Sequence, residues 1–220
     1  KAETNSFLLD KPIGLIWGVG AVAKESLGKA GIQTFSDLLR WDRQDLNQRF
    51  GSLGDRLWHL ARGHDLRRVT SDAPVKSISN ETTFFEDTSD SDILDGHIWR
   101  LAEKVSDRAK ARDMAGRVVT LKLKRKDHKS LSRRVTLRDP TQIADRIYRT
   151  ARDLFGQVGP QGPYRLIGVG LSDLVGDADS DLTSDLLDPN AAKRTKAERA
   201  TDAIRAKFGS DAIVKGRSLR

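Results

Sequence analysis

At 220 residues, with no cysteine and Met114 as the one methionine, the chain can hold one large or two small domains and has neither a disulfide framework nor a thiolate metal site. Its residues are 37% hydrophobic and 32% charged, which favours small thin-cored domains; no run approaches about 18 apolar residues and no apolar segment opens the chain, so a spanning helix and a secretory signal are not expected and a cytoplasmic location is. Lys and Arg number 39 against 31 Asp and Glu, a formal charge of +8 with a pI near 9.8, which points to a polyanion: nucleic acid first, an acidic membrane surface second.

Short helices are predicted over the first third. Pro12 and the "WGVG" of Trp17–Gly20 interrupt the opening segment, and "AVAKESLGKAG" reads as a helix stopped by a left-handed Gly31. Thr34 or Ser36 can cap "SDLLR", and Asp42 can cap "RQDLNQRF". In "SLGDRLWHLARG", Leu53, Leu57, Leu60 and Ala61 share one helical face and Gly63 ends it. Trp17 is expected in the core.

"HDLRRVTSDAP" has little periodicity and reads as a linker. A strand over 75–85 follows, then a capped helix over about 92–113, two strands over 116–125 and 130–137, a helix over 141–158 and a strand over 164–175. That order, β-α-β-β-α-β, is a ferredoxin-like split arrangement, so the fold class is α+β. Ile98, Leu101 and Val105, then Ile143, Ile147, Ala151 and Leu154, form apolar stripes, so both helices can cover one sheet face and leave the other bare.

The tail begins with "GDADSDLTSDLLDP", which has five Asp and no base and reads as an unfolded acidic linker. "NAAKRTKAERATDAIRAKF" then gives an amphipathic helix with Ala197, Ala200, Ile204 and Phe208 on one side and no derivable role. The division is therefore a helical domain over 1–66, a linker over 67–74, an α+β domain over 75–175 and a tail over 176–220.

The hairpin "GRVVTLKLKRKDHKSLSRRVTL" carries the main functional signal. Val119, Leu121 and Leu123 alternate with Thr120, Lys122 and Lys124, and after the turn Ser132, Arg134 and Thr136 alternate with Val135 and Leu137. From Gly116 to Arg138 nine bases face one acid, Asp127. Cations on a rigid sheet neutralise phosphates, and the short hydroxyls between them can donate to phosphate oxygens. Gly168 and Gly170, on one face with Leu166 and Ser172, would let a nucleic-acid backbone come close. The bland alternative is a solvated face whose lysines discourage edge pairing. An RNA-recognition module shares the element order but stacks bases on sheet aromatics, and the exposed hairpin positions hold no Phe, Tyr or Trp.

In "LIWGVGAVAKESLGKAGI", Gly18 and Gly20 bracket a turn into a helix, whose backbone N–H groups can meet a phosphate, with Lys24 one turn in. The pattern is similar to a helix-hairpin-helix element; a helix–helix turn that simply needs glycine is the alternative. Metal-dependent chemistry needs clustered carboxylates. Glu86–Asp87, the acids of Ser89–Asp92 and the tail aspartates fit capping or a linker instead, and His59, His64, His97 and His128 lack ligand spacing. The chain alone is expected to bind and not to catalyse.

Taken together, "FLLDKPIGLIWGVGAVAKESLGKAGIQTFSDL", "LARGHDLRRV", "KSISNETTFFEDT", "GRVVTLKLKRKD" and "RLIGVGLSDL" resemble, in order, the C-terminal half of the DNA polymerase IV (DinB) branch of the Y-family translesion polymerases, over residues 7–175. The resemblance implies a thumb over 7–66 and a little finger over 75–175. It also implies an upstream palm and fingers holding the catalytic carboxylates and their Mg²⁺, in keeping with a chain that opens at Lys1 without an initiator Met. No cofactor is expected on these residues themselves. The resemblance places Gly18, Val19, Gly20 and Lys24 on duplex backbone. It places Ser77, Ser79, Thr120, Lys122, Lys124, Arg125, Ser132, Arg134, Thr136 and Arg165 on phosphates of primer–template DNA. Where some relatives carry Arg in the last strand, this chain has Leu166 or Gly170. The family's glutamine-led sliding-clamp peptide would fall near Leu186, where "LTSDLLDP" lacks both Gln and the aromatic. A free-standing or catalytically dead DNA-binding partner protein is the other reading.

Overall fold

Pro12 and a series of left-handed glycines cut the N-terminal third into short helices. In the computed structural model, which describes residues 6–65, 67–69, 73–158, 161–177, 180 and 190–216, this third is one unit, Lys1–Ala73, and Pro74–Arg220 is another. A single 3₁₀ turn, Ile13–Leu15, precedes α1 (Ala21–Lys29), α2 (Phe35–Leu39), α3 (Arg43–Phe50) and α4 (Ser52–Ala61). Gly31, at φ +75°, ends α1, and the Ile32 N–H returns to the Leu27 carbonyl at 3.0 Å. Thr34 makes a reciprocal capping box with Asp37: its hydroxyl accepts from the Asp37 N–H and its own N–H donates to the Asp37 carboxylate. The Thr34 hydroxyl, followed by the Gln33 and Thr34 N–H groups, holds the Asp37 carboxyl below its ordinary value. Asp42 stands at the N-cap of α3, but its side chain accepts no capping bond there. Ile13, Leu27, Ile32, Leu38, Leu46 and Leu57 are fully buried and form the core of this unit.

The second unit follows the expected β-α-β-β-α-β order: β1 (Ser77–Thr88), α5 (Ser91–Lys110), β2 (Met114–Arg125), β3 (Ser130–Thr141), α6 (Ala144–Gly156) and β4 (Tyr164–Gly176). The sheet is antiparallel throughout, in the spatial order β1-β4-β2-β3. Asp90 starts α5 by accepting from the N–H groups of Asp92 and Ile93. Ile78, Val119, Leu121, Leu123, Ile167, Val169 and Leu171 are buried on one sheet face against Ile98, Leu101, Val105, Ile147, Ala151 and Leu154 of the two helices. The alternation that hides these leaves the intervening residues on the opposite face.

A further helix, α7 (Ala191–Phe208), belongs to this second unit. It docks through charge: Arg194 pairs with Asp145 at 2.7 Å, Glu198 and Asp202 both take Lys110 at 2.7 and 2.6 Å, and Arg205 reaches Glu103 at 3.3 Å. The apolar side foreseen from sequence, Ala197, Ala200, Ile204 and Phe208, is not what docks: Ala200, Ile204 and Phe208 are exposed. The reason is α6, whose N-cap residue Ile143 has no side chain able to accept from the first turn. Buried Glu198 supplies the acceptors from 54 residues away, taking the N–H groups of Ala144 at 2.7 Å and Asp145 at 3.2 Å. Burial would lower the Lys110 ammonium, but the Glu198 charge and bonds to Asp202 and Glu198 overcome it and hold the group above its ordinary value. The acidic stretch around Leu186 lies outside the described residues.

Candidate nucleic-acid interface

Strand register decides which side chains share the open face. Ser77, Ser172, Val118 and Thr136 align in one row, and Ser79, Gly170, Thr120 and Arg134 in the next. Glu81, Gly168, Lys122 and Ser132 form the third, and Thr83, Leu166, Lys124 and Ser130 the fourth. Eight of the predicted sheet positions, Ser77, Ser79, Thr120, Lys122, Lys124, Ser132, Arg134 and Thr136, are thus brought onto one surface. Its middle is a trough of about 270 Å³ lined by Ser77, Ser79, Thr120, Lys122 and Ser172, with Gly168 and Gly170 in its floor.

The two glycines are required by their neighbours. A Cβ on Gly168 would stand 2.9 Å from the Glu81 Cβ, and one on Gly170 would stand 2.9 Å from the Ser79 Cβ. Neither neighbour is the tip of a flexible chain, so a methyl at either position would push β1 off β4.

Arg125 and Arg165 are not brought into these rows. The β2–β4 register slips after Lys124 and Leu166, so Arg125 stands opposite Tyr164, which is buried beside Phe155. Arg125 lies 3.8 Å from Asp127, and Arg165 is 3.1 Å from the His128 ring. Both sit at the hairpin end of the sheet, near the turn where His128 takes a left-handed φ of +65°.

Thr83, Val118, Ser130 and Glu81 of this face escaped the sequence reading, and Glu81 is the charged one. Glu81 shares the parity of Ser77 and Ser79, and its carboxylate accepts from Lys122 at 2.7 Å. The period-2 signal that selected the two serines selects Glu81 equally. Among the described residues no aligned row holds an aromatic; exposed Phe85 lies past Thr83, where the β1–β4 pairing becomes irregular.

In the first unit the glycine turn has a defined shape. Gly18 takes φ +96°, a conformation that favours glycine, and the space where a Cβ would point is occupied by the Arg56 guanidinium, which donates to the Trp17 carbonyl at 2.6 Å. The Val19 side chain is buried and its N–H is spent on the Ile16 carbonyl at 2.9 Å. Gly20 is the N-cap of α1 and has no side chain to cap it, so the exposed start of the helix at Ala21 and Val22 faces outward. Lys24 is exposed one turn in.

Trp17 is not a core residue: it is 77% exposed, and Ile13, Ile16 and Val19 fill the core on either side of it. Arg56 and Arg67 lie over its ring at 5.8 and 5.5 Å. Arg67 also binds Asp65, and that hydrogen bond draws the Asp65 carboxyl down to about 2.

Among the described residues no group of three or more His, Cys, Asp or Glu could hold a metal ion. No described helix is long and apolar enough to cross a membrane.

The model of the impB/mucB/samB family C-terminal domain matches residues 75–185. DNA polymerase IV 1 of Mesorhizobium japonicum is 44% identical over 216 residues, covering 98% of this chain and 49% of that relative. DNA polymerase IV of Caulobacter vibrioides is 43% identical over 220 residues, covering 100% and 54%. The chain thus spans about half the length of these relatives. Among solved structures, a Y-family DNA polymerase chimera superposes with a TM-score of 0.57 at 22% identity, covering 79% of this chain and 50% of that one, which is a likeness of fold.

Proposed function

This chain belongs to the impB/mucB/samB family, and from that membership and the sheet's geometry we propose that it is the part of a translesion DNA polymerase that holds primer–template duplex by its backbone. The observation that carries the reading is the open sheet face, where Lys122, Lys124 and Arg134 stand among Ser77, Ser79, Thr120, Ser132 and Thr136 in consecutive aligned rows. Cations and hydroxyls on a rigid, aromatic-free surface suit phosphate oxygens and offer nothing for base stacking. A face that ignores base edges tolerates a distorted template, which is what copying past damage demands.

In this reading residues 1–66, within the unit Lys1–Ala73, are the thumb, and residues 75–175, within Pro74–Arg220, are the little finger. The start of α1 behind Gly18 and Gly20 is a second, separate backbone contact of helix-hairpin-helix type, made by main-chain N–H groups and Lys24. Arg125 and Arg165 would serve phosphates only at the hairpin end. Nucleotidyl transfer and the Mg²⁺ it uses would be supplied by parts of the whole protein outside these 220 residues, working in the cytoplasm. A sliding clamp is a further proposed partner, through the weak motif near Leu186 that lacks both Gln and the aromatic.

The test is duplex affinity as a function of salt. Replacing Lys124 and Arg134 together by Ala is expected to weaken duplex binding and flatten the salt slope by about 0.9 for each phosphate left without its cation. A folded double variant with unchanged affinity and slope would remove the sheet from the interface. Preference for single-stranded RNA over primer–template DNA in competition would favour the RNA-recognition reading instead.

A further inference from the structure

Glu81, Gly168 and Lys122 occupy one row across β1, β4 and β2. Two strand spacings, about 9.6 Å, separate the outer two residues. Their side chains meet at 2.7 Å by crossing above Gly168, where a side chain would stand in the way. The pair is half-exposed, at 45% for Lys122 and 50% for Glu81, so it contributes little to folding. Glu81 is also the single acid among the described residues of the four aligned rows, on a face that carries Lys122, Lys124 and Arg134. A carboxylate and a phosphate are both anionic oxygen acceptors, so Glu81 occupies the Lys122 ammonium in the way a backbone phosphate could.

We propose that Glu81 is a built-in competitor for backbone phosphate, holding Lys122 until DNA displaces it, and so sets how tightly and how long this face holds a duplex. The inference rests on the reading of the face as a DNA-backbone surface. When a phosphate takes Lys122, the released carboxylate stays beside the trough, repels the neighbouring phosphates and retains a cation. Net counterion release is then smaller by about one than the number of lysines and arginines implies. The bound duplex dissociates faster for the same reason, which suits a surface that must let its substrate advance.

The experiment measures duplex binding by the full 220-residue chain between about 50 and 200 mM salt, the range over which phosphate contacts dominate the change in affinity. Wild type, Glu81→Gln, Lys122→Ala and the double variant are compared, each checked for retained fold by circular dichroism. Glu81→Thr, which places a hydroxyl like its neighbours, serves as a second variant. Glu81→Gln is expected to tighten binding roughly three- to tenfold at the lowest salt, steepen the salt slope by about one and slow dissociation. Lys122→Ala should cost little in the wild type and much more in the Glu81→Gln background. If neither Glu81 variant binds more tightly, or if Lys122→Ala costs the same in both backgrounds, the competitor role is overturned while the DNA reading stands. A wild-type chain with no salt-dependent duplex binding overturns both.

Discussion

Two lysine–glutamate pairs of the second unit have the same 2.7 Å separation and opposite surroundings. Lys122–Glu81 lies on the open sheet face with about half of each side chain in solvent. Lys110–Glu198 lies under α7, with Glu198 only 4% exposed and its carboxylate also accepting from the Ala144 and Asp145 N–H groups. Distance alone therefore says little about what a pair does. Water and salt screen the first, so it can exchange partners. The second is largely shut off from water, so its charges must satisfy one another and the helix end they cap.

The sharpest way to break the comparison is to remove the acid from each pair. Glu198→Ala leaves the Ala144 and Asp145 N–H groups without their acceptor and Lys110 with Asp202 alone, and is expected to cost about 1–3 kcal/mol. Glu81→Gln should stay within about 1 kcal/mol. Denaturant unfolding measures both, and hydrogen exchange at the Ala144 and Asp145 amides should rise only in the first. Equal losses at the two sites would mean that burial is not what separates them.

Gly168→Ala comes next in size. The added methyl would stand 2.9 Å from the Glu81 Cβ, an overpacking worth about 1–3 kcal/mol, and it would also keep Glu81 from Lys122. Denaturant unfolding and duplex binding together check this: stability should fall with the Glu81–Lys122 coupling. An unchanged coupling energy would show that the pair does not depend on the bare glycine.

The smallest effect at neutral pH concerns the Lys110 proton. Its folded-state value is raised above 10.5, so the folded chain holds that proton more tightly than the unfolded one. The resulting stabilisation is complete below about pH 10.5 and is lost as pH climbs through the folded value. Alkaline unfolding of the wild type should therefore be steeper than that of Lys110→Met. Identical profiles would place the loss elsewhere.

Much of the sheet was legible because its signals are local. Val119, Leu121 and Leu123 alternate with Thr120, Lys122 and Lys124 within a single strand, and the turn after Arg125 fixes the pairing with Ser132 and Arg134. The stripes Ile98–Val105 and Ile147–Leu154 have helical period and are buried as that period demands. Arg125 was placed by resemblance and not by alternation: it has the parity of Leu121 and Leu123, and it stands opposite Tyr164, outside the rows of Lys122 and Lys124. Trp17 is exposed because Ile13, Ile16 and Val19 already fill the core around its turn, a fact of volume and not of hydrophobicity. In α7 the apolar side chains are the visible signal, yet an uncapped helix start 54 residues upstream selected the charged side.

By itself, then, the sequence determined the order of elements, the two-faced hairpin and the cationic character of its open side, since period and charge are set by neighbours in the chain. Tertiary structure alone decided that Glu81 would reach Lys122 over Gly168 and that Glu198 would cap α6 from α7. Each of these joins segments far apart in the chain, and only packing brings them within the few ångströms over which a hydrogen bond acts.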